Sequence, residues 1–308
     1  MTDPIQIESR TIEALDGYPL SALSMSPVRP RASVLISSGT GFPKEFYKRI
    51  AEAGAKRGFA CLLYDYRGIA GSKPASLRGF KAATTMWGRR DMPAAIDAAA
   101  ALAPGKPLFT LGHSVGGHLI GFCPNSDRAT AHAFVNVGSG YWGHHKAHYQ
   151  PQALFFWLVY GPACLATLGY IPAGGLWGGT ALPKGVFTQW RRWCFQEGYY
   201  GAELDRLHPN WFSRVREPIR SWGVSDDPIA TRRATEVILA LYSAAPTQIE
   251  WMTPGVIWVM PRSATRACSR ARVRRSGPAP STGLKGICQV PRRAGLEAVP
   301  AGFHHGGR

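Results

Sequence analysis

The sequence predicts a three-layer α/β sandwich with a mostly parallel sheet and an inserted helical lid. Three observations carry this. Apolar runs of strand length alternate with helix-compatible runs at short spacing, the pattern of βαβ units. Several of the apolar runs end in small residues and glycine, as buried parallel strands do when they enter a functional loop. Between about Tyr141 and Arg216 the alternation stops, and Trp, Tyr, Gly and Pro crowd the chain.

The elements follow in order. "IQIE" and "LSALSMS" flank the turn "LDGYP" and read as a β-hairpin. "ASVLISSGTG" is a buried strand running into a loop. "FYKRIAEAGAKRG" is an amphipathic helix closed by Gly58. "FACLLYDYRG" is the next buried strand, and "DMPAAIDAAAAL" a helix between Asp91 and Pro104. "PLFTLGHSVGG" is a strand entering a glycine-rich turn, and "HAFVNVGSG" another strand. After the interruption come the strand "PIRSWGVSDDP", the helix "ATRRATEVILALY" and a final strand "TQIEWM". The domain therefore spans residues 1–254, with the lid at about 141–216, and residues 255–308 form a separate basic tail.

The 308 residues carry a formal charge of +17. The tail from Gly255 holds +9 of it and the body a scattered +8, so a nucleic-acid partner is not expected. The six cysteines show no ligand spacing, and neither a metal nor a disulfide framework is expected. The polar start "MTDPIQIESR" is not a signal peptide, which makes a cytoplasmic location with reduced thiols the default expectation. Gln150 to Leu182 has no charged residue, but Gly161 and Pro162 interrupt it. Two buried or lid helices are expected rather than a membrane span.

"LGHSVGG" holds Gly112, Ser114 and Gly116 in the spacing G-x-S-x-G. A nucleophile on a sharp strand-to-helix turn needs neighbours without Cβ atoms, so that its Oγ projects above the sheet. Ser114 is the candidate nucleophile, and the Val115 N–H at the helix start is a candidate oxyanion donor. A base and an acid to orient it should follow in the chain. "GVSDDP" offers Asp226 and Asp227, either of which could instead cap the next helix; Asp227 is favoured.

With these motifs, residues 5 to about 254 resemble the α/β-hydrolase superfamily, in particular bacterial serine hydrolases similar to serine aminopeptidases and monoacylglycerol lipases. "SSGTG" resembles their oxyanion strand-loop, "DYRGIAGS" their D-x-R-G-x-G-x-S loop with Ala70 where glycine is usual, and "GHSVGG" their elbow. "GYIP" and "WRRWC" resemble the group's lid. The resemblance places the first oxyanion donor at Thr40, with Gly39 the competing neighbour. It also supports Asp227 as the acid, since Pro228 follows it. It implies a three-layer α/β-hydrolase sandwich, an esterase-like activity on a lipophilic ester or amide, and no cofactor.

The resemblance also implies a histidine after one more strand, in a loop like G-H-x-G-x-F. From Gln248 to Pro300 the chain has none. His144, His145 and His148 lie in the lid, where lining or solvated roles are expected; His304 and His305 end the chain. The catalytic histidine is therefore left unassigned. The tail "VIWVMPRSATRACSRARVRRSG" suggests a cause. Read two bases further on, permitted codons for Val256 to Ala271 give D-L-G-Y-A-A-V-G-H-A-G-L-F-S-R, which contains such a loop. Out-of-frame translation is the expected origin of residues 255–308; a basic nucleic-acid arm is the competing reading. A chain without its base could equally serve as a non-catalytic binding protein.

Overall fold

The structure, a computed structural model, describes residues 4–253. The expectations for residues 255–308 lie outside the described residues. Ten strands and eight α-helices appear in the order β1 (Ile5–Glu13), β2 (Pro19–Pro27), β3 (Ala32–Ser37), α1 (Lys48–Ala55), β4 (Phe59–Tyr64), α2 (Thr84–Met86), α3 (Met92–Ala101), β5 (Leu108–His113), α4 (Val115–His118), β6 (Ala131–Val135), α5 (Gln150–Phe155), α6 (Gly161–Thr167), β7 (Tyr170–Ile171), β8 (Leu182–Pro183), α7 (Lys184–Cys194), β9 (Ile219–Val224), α8 (Arg232–Leu239) and β10 (Thr247–Met252). Eight strands form one sheet in the order β1-β2-β4-β3-β5-β6-β9-β10. The β1–β2 and β2–β4 pairs are antiparallel, and all pairs from β4 onward are parallel.

This order positions the site. From β3 the chain crosses to β4 on one side, while β5 lies on the other. The loops leaving β3 and β5 therefore diverge, which opens a crevice at the carboxyl ends of the strands. Apolar side chains hold the layers. Leu35, Leu62, Ile96, Leu119, Phe122 and Phe134 are all buried in one large cluster, and Tyr47, Ala51, Cys61 and Leu63 in a second beneath α1. The first turn of the predicted helix at Phe46 is a 3-10 turn, Lys44–Tyr47, before α1 proper.

Residues 141–216 enter between β6 and β9 as a largely helical insertion. The uncharged stretch, expected as two helices, is one continuous helical run from Gln150 to Thr167. In it α5, a π-helical turn Phe156–Tyr160 and α6 follow without a break, with helical dihedrals at Phe156 and Gly161, and the π-turn accommodates Pro162 instead of ending the helix. Among the described residues, no helix is long and apolar enough to cross a membrane. Within the insertion a two-stranded antiparallel pair, β7 with β8, separates α6 from α7.

Candidate active site

Four loops leave the carboxyl ends of adjacent strands β3, β5, β6 and β9, and they carry the candidate residues. The first is the elbow. Ser114 sits between β5 and α4 with φ 51° and ψ −124°. That is outside the regions open to L-residues and stores strain. The turn is as tight as it is because its glycines lie against backbone. A Cβ on Gly112 would strike the backbone of Gly116 and Gly117, and one on Gly116 would strike the carbonyls of Ser37 and Ser38. The second approach presses the start of α4 onto the end of β3. Val115 is the first residue of that short helix, and the loop of Thr40 leaves from the Ser37–Ser38 segment it is pressed against. The Ser114 N–H donates to the Val135 carbonyl at 3.0 Å, which fixes the elbow to β6.

The loop after β3 distinguishes Gly39 from Thr40. The Gly39 N–H donates to the Tyr47 hydroxyl at 2.9 Å, and that hydroxyl lies 2.7 Å from His113 Nδ1. The amide of Gly39 is thus occupied, whereas the Thr40 N–H makes no hydrogen bond among the described residues. Burial holds the His113 imidazole down to about 4, so it stays neutral near pH 7 and does not place a positive charge beside the loop.

The D-Y-R-G segment anchors this loop from below. Asp65, fully buried, accepts from the Lys44 N–H at 2.7 Å, the Lys44 ammonium at 2.8 Å and the Gly71 N–H at 3.0 Å. Arg67 pairs with Asp91 and Asp16, each at 2.6 Å. These residues are structural supports. Ala70, where glycine is usual, has φ 39°.

At the end of β9 the two aspartates separate. Asp226 is exposed. Asp227 is half-buried, and its Oδ1 accepts from the N–H groups of Ile229 (2.8 Å) and Ala230 (2.9 Å). Its Oδ2 accepts from Asn136 Nδ2 at 2.8 Å. Neither aspartate caps α8, because Thr231 does: its side chain accepts from the Ala234 N–H. Strand spacing puts the loops of Ser114 and Asp227, two strands apart, about 10 Å from each other, room for an imidazole between them.

Asn136 is the residue that sequence reasoning missed. It follows β6 with φ 46°, its N–H donates to the Trp222 carbonyl at 2.8 Å, and its side chain holds Asp227. The available signal was its type, since asparagine tolerates the left-handed region better than other side chains.

Among the described residues no histidine hydrogen-bonds to Ser114 or Asp227. His118 is buried between the rings of Tyr199 and Tyr200. His132 pairs with Thr110, and its N–H bonds to Pro218 at the start of β9, the opposite sheet edge from the elbow. His144 pairs with Ser139. His148 and His208 are exposed, and His304 and His305 lie outside the described residues. No cluster of three metal-ligating side chains occurs among the described residues.

The insertion touches both loops. Trp177 packs on Gly41 just after Thr40, and the Thr180 N–H donates to the Gly41 carbonyl at 2.8 Å. On the other side, the Lys146 N–H donates to the Pro228 carbonyl at 2.9 Å. Between these contacts lies a cavity of about 230 Å³, walled by aromatic rings and by Ile229 of the acid loop.

Residues 28–170 match the family described as serine aminopeptidase, S33. No curated protein matches the chain. The fold is similar to several solved structures. One is a thermostable carboxyl esterase from Bacillus coagulans in complex with glycerol (12% identity, TM-score 0.55, 82% of this chain and 91% of that one). Another is a soluble variant of monoglyceride lipase from Saccharomyces cerevisiae with a substrate analog (15% identity, TM-score 0.56, 82% and 87%). A third is an esterase of Pyrococcus furiosus (13% identity, TM-score 0.51, 80% and 82%).

Proposed function

We propose that the chain belongs to the α/β-hydrolase superfamily and that its site is built to hydrolyse a lipophilic carboxylic ester through Ser114. The observation that carries this reading is the strained conformation of Ser114, held between glycines that no other residue could replace. Strain of this kind persists only where the surroundings over-determine it, and it aims a side chain.

The chemistry follows from the geometry. Ser114 Oγ adds to the acyl carbon, its proton passes to a base, and the alkoxide leaves with that proton. Water then repeats the sequence on the acyl-enzyme. The N–H groups of Thr40 and Val115 bind the oxyanion, each worth about 3–4 kcal/mol in the transition state. Asp227, fixed by two backbone N–H groups and Asn136, keeps one oxygen with a free lone pair to orient the base. The insertion acts as a lid, and its aromatic cavity receives the apolar part of the substrate. No cofactor or metal enters the reaction.

Among the described residues no histidine stands as the base. A serine hydroxyl is a weak nucleophile without one. We read residues 255–308 as out-of-frame translation that has replaced the histidine loop, so the chain as written is catalytically impaired. The second reading, a binding protein on the same fold, is favoured by the same observation, that no described histidine bonds to Ser114 or Asp227. Turnover of p-nitrophenyl butyrate separates the two. Resequencing across the codons for Glu250 to Arg270 and restoring the frame should bring turnover up by at least about 10³-fold. A restored chain that still turns over nothing favours the binding protein. Ordinary turnover by the 308-residue chain would refute the frame reading.

A further inference from the structure

The cavity inside the insertion is lined almost entirely by aromatic and apolar side chains. Phe156 and Trp177 are stacked at 5.3 Å, and Trp157 meets Trp190 edge-on at 4.6 Å. Two wall residues do not fit this description: Gln152, which is exposed, and His145, which is buried. His145 is 7% exposed, and neither of its ring nitrogens has a hydrogen-bond partner. Buried polar atoms are nearly always paired, so an unpaired imidazole in a cavity wall calls for a partner from outside the chain. The backbone around it is fixed. Gln150 Nε2 donates to the His145 carbonyl at 3.0 Å, and the neighbouring Lys146 N–H is tied to Pro228. Tyr149 closes on the ring from one side at 5.5 Å.

Burial and the adjacent His144 push the His145 imidazole down to about 4, so near pH 7 it is neutral and offers one donor and one acceptor. A neutral hydroxyl can serve whichever nitrogen faces the cavity, donating to the bare one or accepting from the N–H. A carboxylate can only accept and an ammonium only donate, and either would carry an unpaired charge into an apolar site. Size limits the rest. A cavity of about 150 Å³ takes up benzene, so about 230 Å³ holds one ring with a few substituents. Flat aromatic walls favour a ring over a flexible chain.

We infer that this cavity is a binding subsite for an aromatic ring bearing a hydroxyl group, which hydrogen-bonds to His145. The inference rests on the proposed hydrolase function only in taking that ring to be part of the ester.

The test is calorimetric titration of the full chain with p-cresol and with p-xylene, which differ by a hydroxyl in place of a methyl. The expected result is p-cresol binding about tenfold more tightly, although p-xylene is the more apolar. His145→Phe should erase that preference while p-xylene still binds, and His145→Gln should keep part of it. Equal or tighter binding of p-xylene by the unsubstituted chain, no binding of either, or a cresol preference that survives in His145→Phe would each overturn the inference. The first of these needs no variant to fold. Mapping a fluorophosphonate adduct on the frame-restored chain tests the hydrolase reading separately. An adduct on Ser114 without a cresol preference removes this inference alone. A cresol preference without an adduct removes only the hydrolase reading.

Discussion

Replacing Ser114 by glycine and by alanine should give stabilities in the reverse of their usual order. At φ 51° and ψ −124° an L-residue is strained by about 1–3 kcal/mol. Alanine keeps the Cβ and so keeps the strain. Glycine loses it, but its unfolded chain is more flexible, which offsets about 0.5–1 kcal/mol. The balance favours Ser114→Gly over Ser114→Ala by about 1 kcal/mol, whereas in an ordinary strand or helix glycine is the worse of the two. Both variants lose Oγ, so the difference reports the backbone alone. Urea unfolding at pH 7 measures it. With a slope of about 3 kcal/mol/M, the glycine midpoint should lie about 0.3 M above that of alanine. An alanine variant as stable as the glycine variant, or more so, would refute the claim that the elbow is strained.

Three further outcomes are expected. Ala70→Gly relieves a positive φ of 39° and should raise stability by about 0.5–1 kcal/mol in the same urea assay; a loss would mean that the loop tolerates alanine without cost. Stability should fall on acidification from pH 7 to 5. Burial holds the imidazoles of His118 at about 3 and of His113, His132 and His145 at about 4, so between these values and 6.5 the unfolded chain binds protons that the native chain refuses, and stability is lost as pH falls. Asp91 works the other way: burial raises it to about 6, so the native chain gains its proton first. Four histidines outweigh one aspartate, and urea unfolding at the two pH values should show a net loss of about 6 kcal/mol; a gain would contradict the sign. In a frame-restored chain, Asp227→Asn should slow p-nitrophenyl butyrate turnover by about 10⁴-fold and Asp226→Asn by less than about threefold. The reverse order would exchange their roles.

The elbow was legible because each part of it has a local cause. An apolar strand, glycines at Gly112 and Gly116 and a helix-compatible run each leave a mark in the sequence. Pro162 misled, because the π-helical turn before it absorbs the missing N–H and lets the helix run on to Thr167. What stayed hidden depends on neighbours far along the chain. Asn136 matters because β6 lies beside β9, a fact of strand order. The Gly39 N–H is occupied by the Tyr47 hydroxyl, which comes from the next helical turn and meets His113 from another strand. The β7–β8 hairpin has two residues in each strand, too few to show a period. The separation of Asp226 from Asp227 was foreshadowed only by Pro228, because which of two adjacent side chains turns inward depends on the path of the loop.

The central claim is that Ser114 is the nucleophile of an acyl-transfer site. The most direct measurement is peptide mapping after treatment with a fluorophosphonate, on the frame-restored chain and on its Ser114→Ala variant. The account predicts a single adduct, on Ser114, absent from the variant, and formed at least about 10³-fold more slowly by the 308-residue chain. An adduct on any other residue, or labelling that persists in Ser114→Ala, would contradict it.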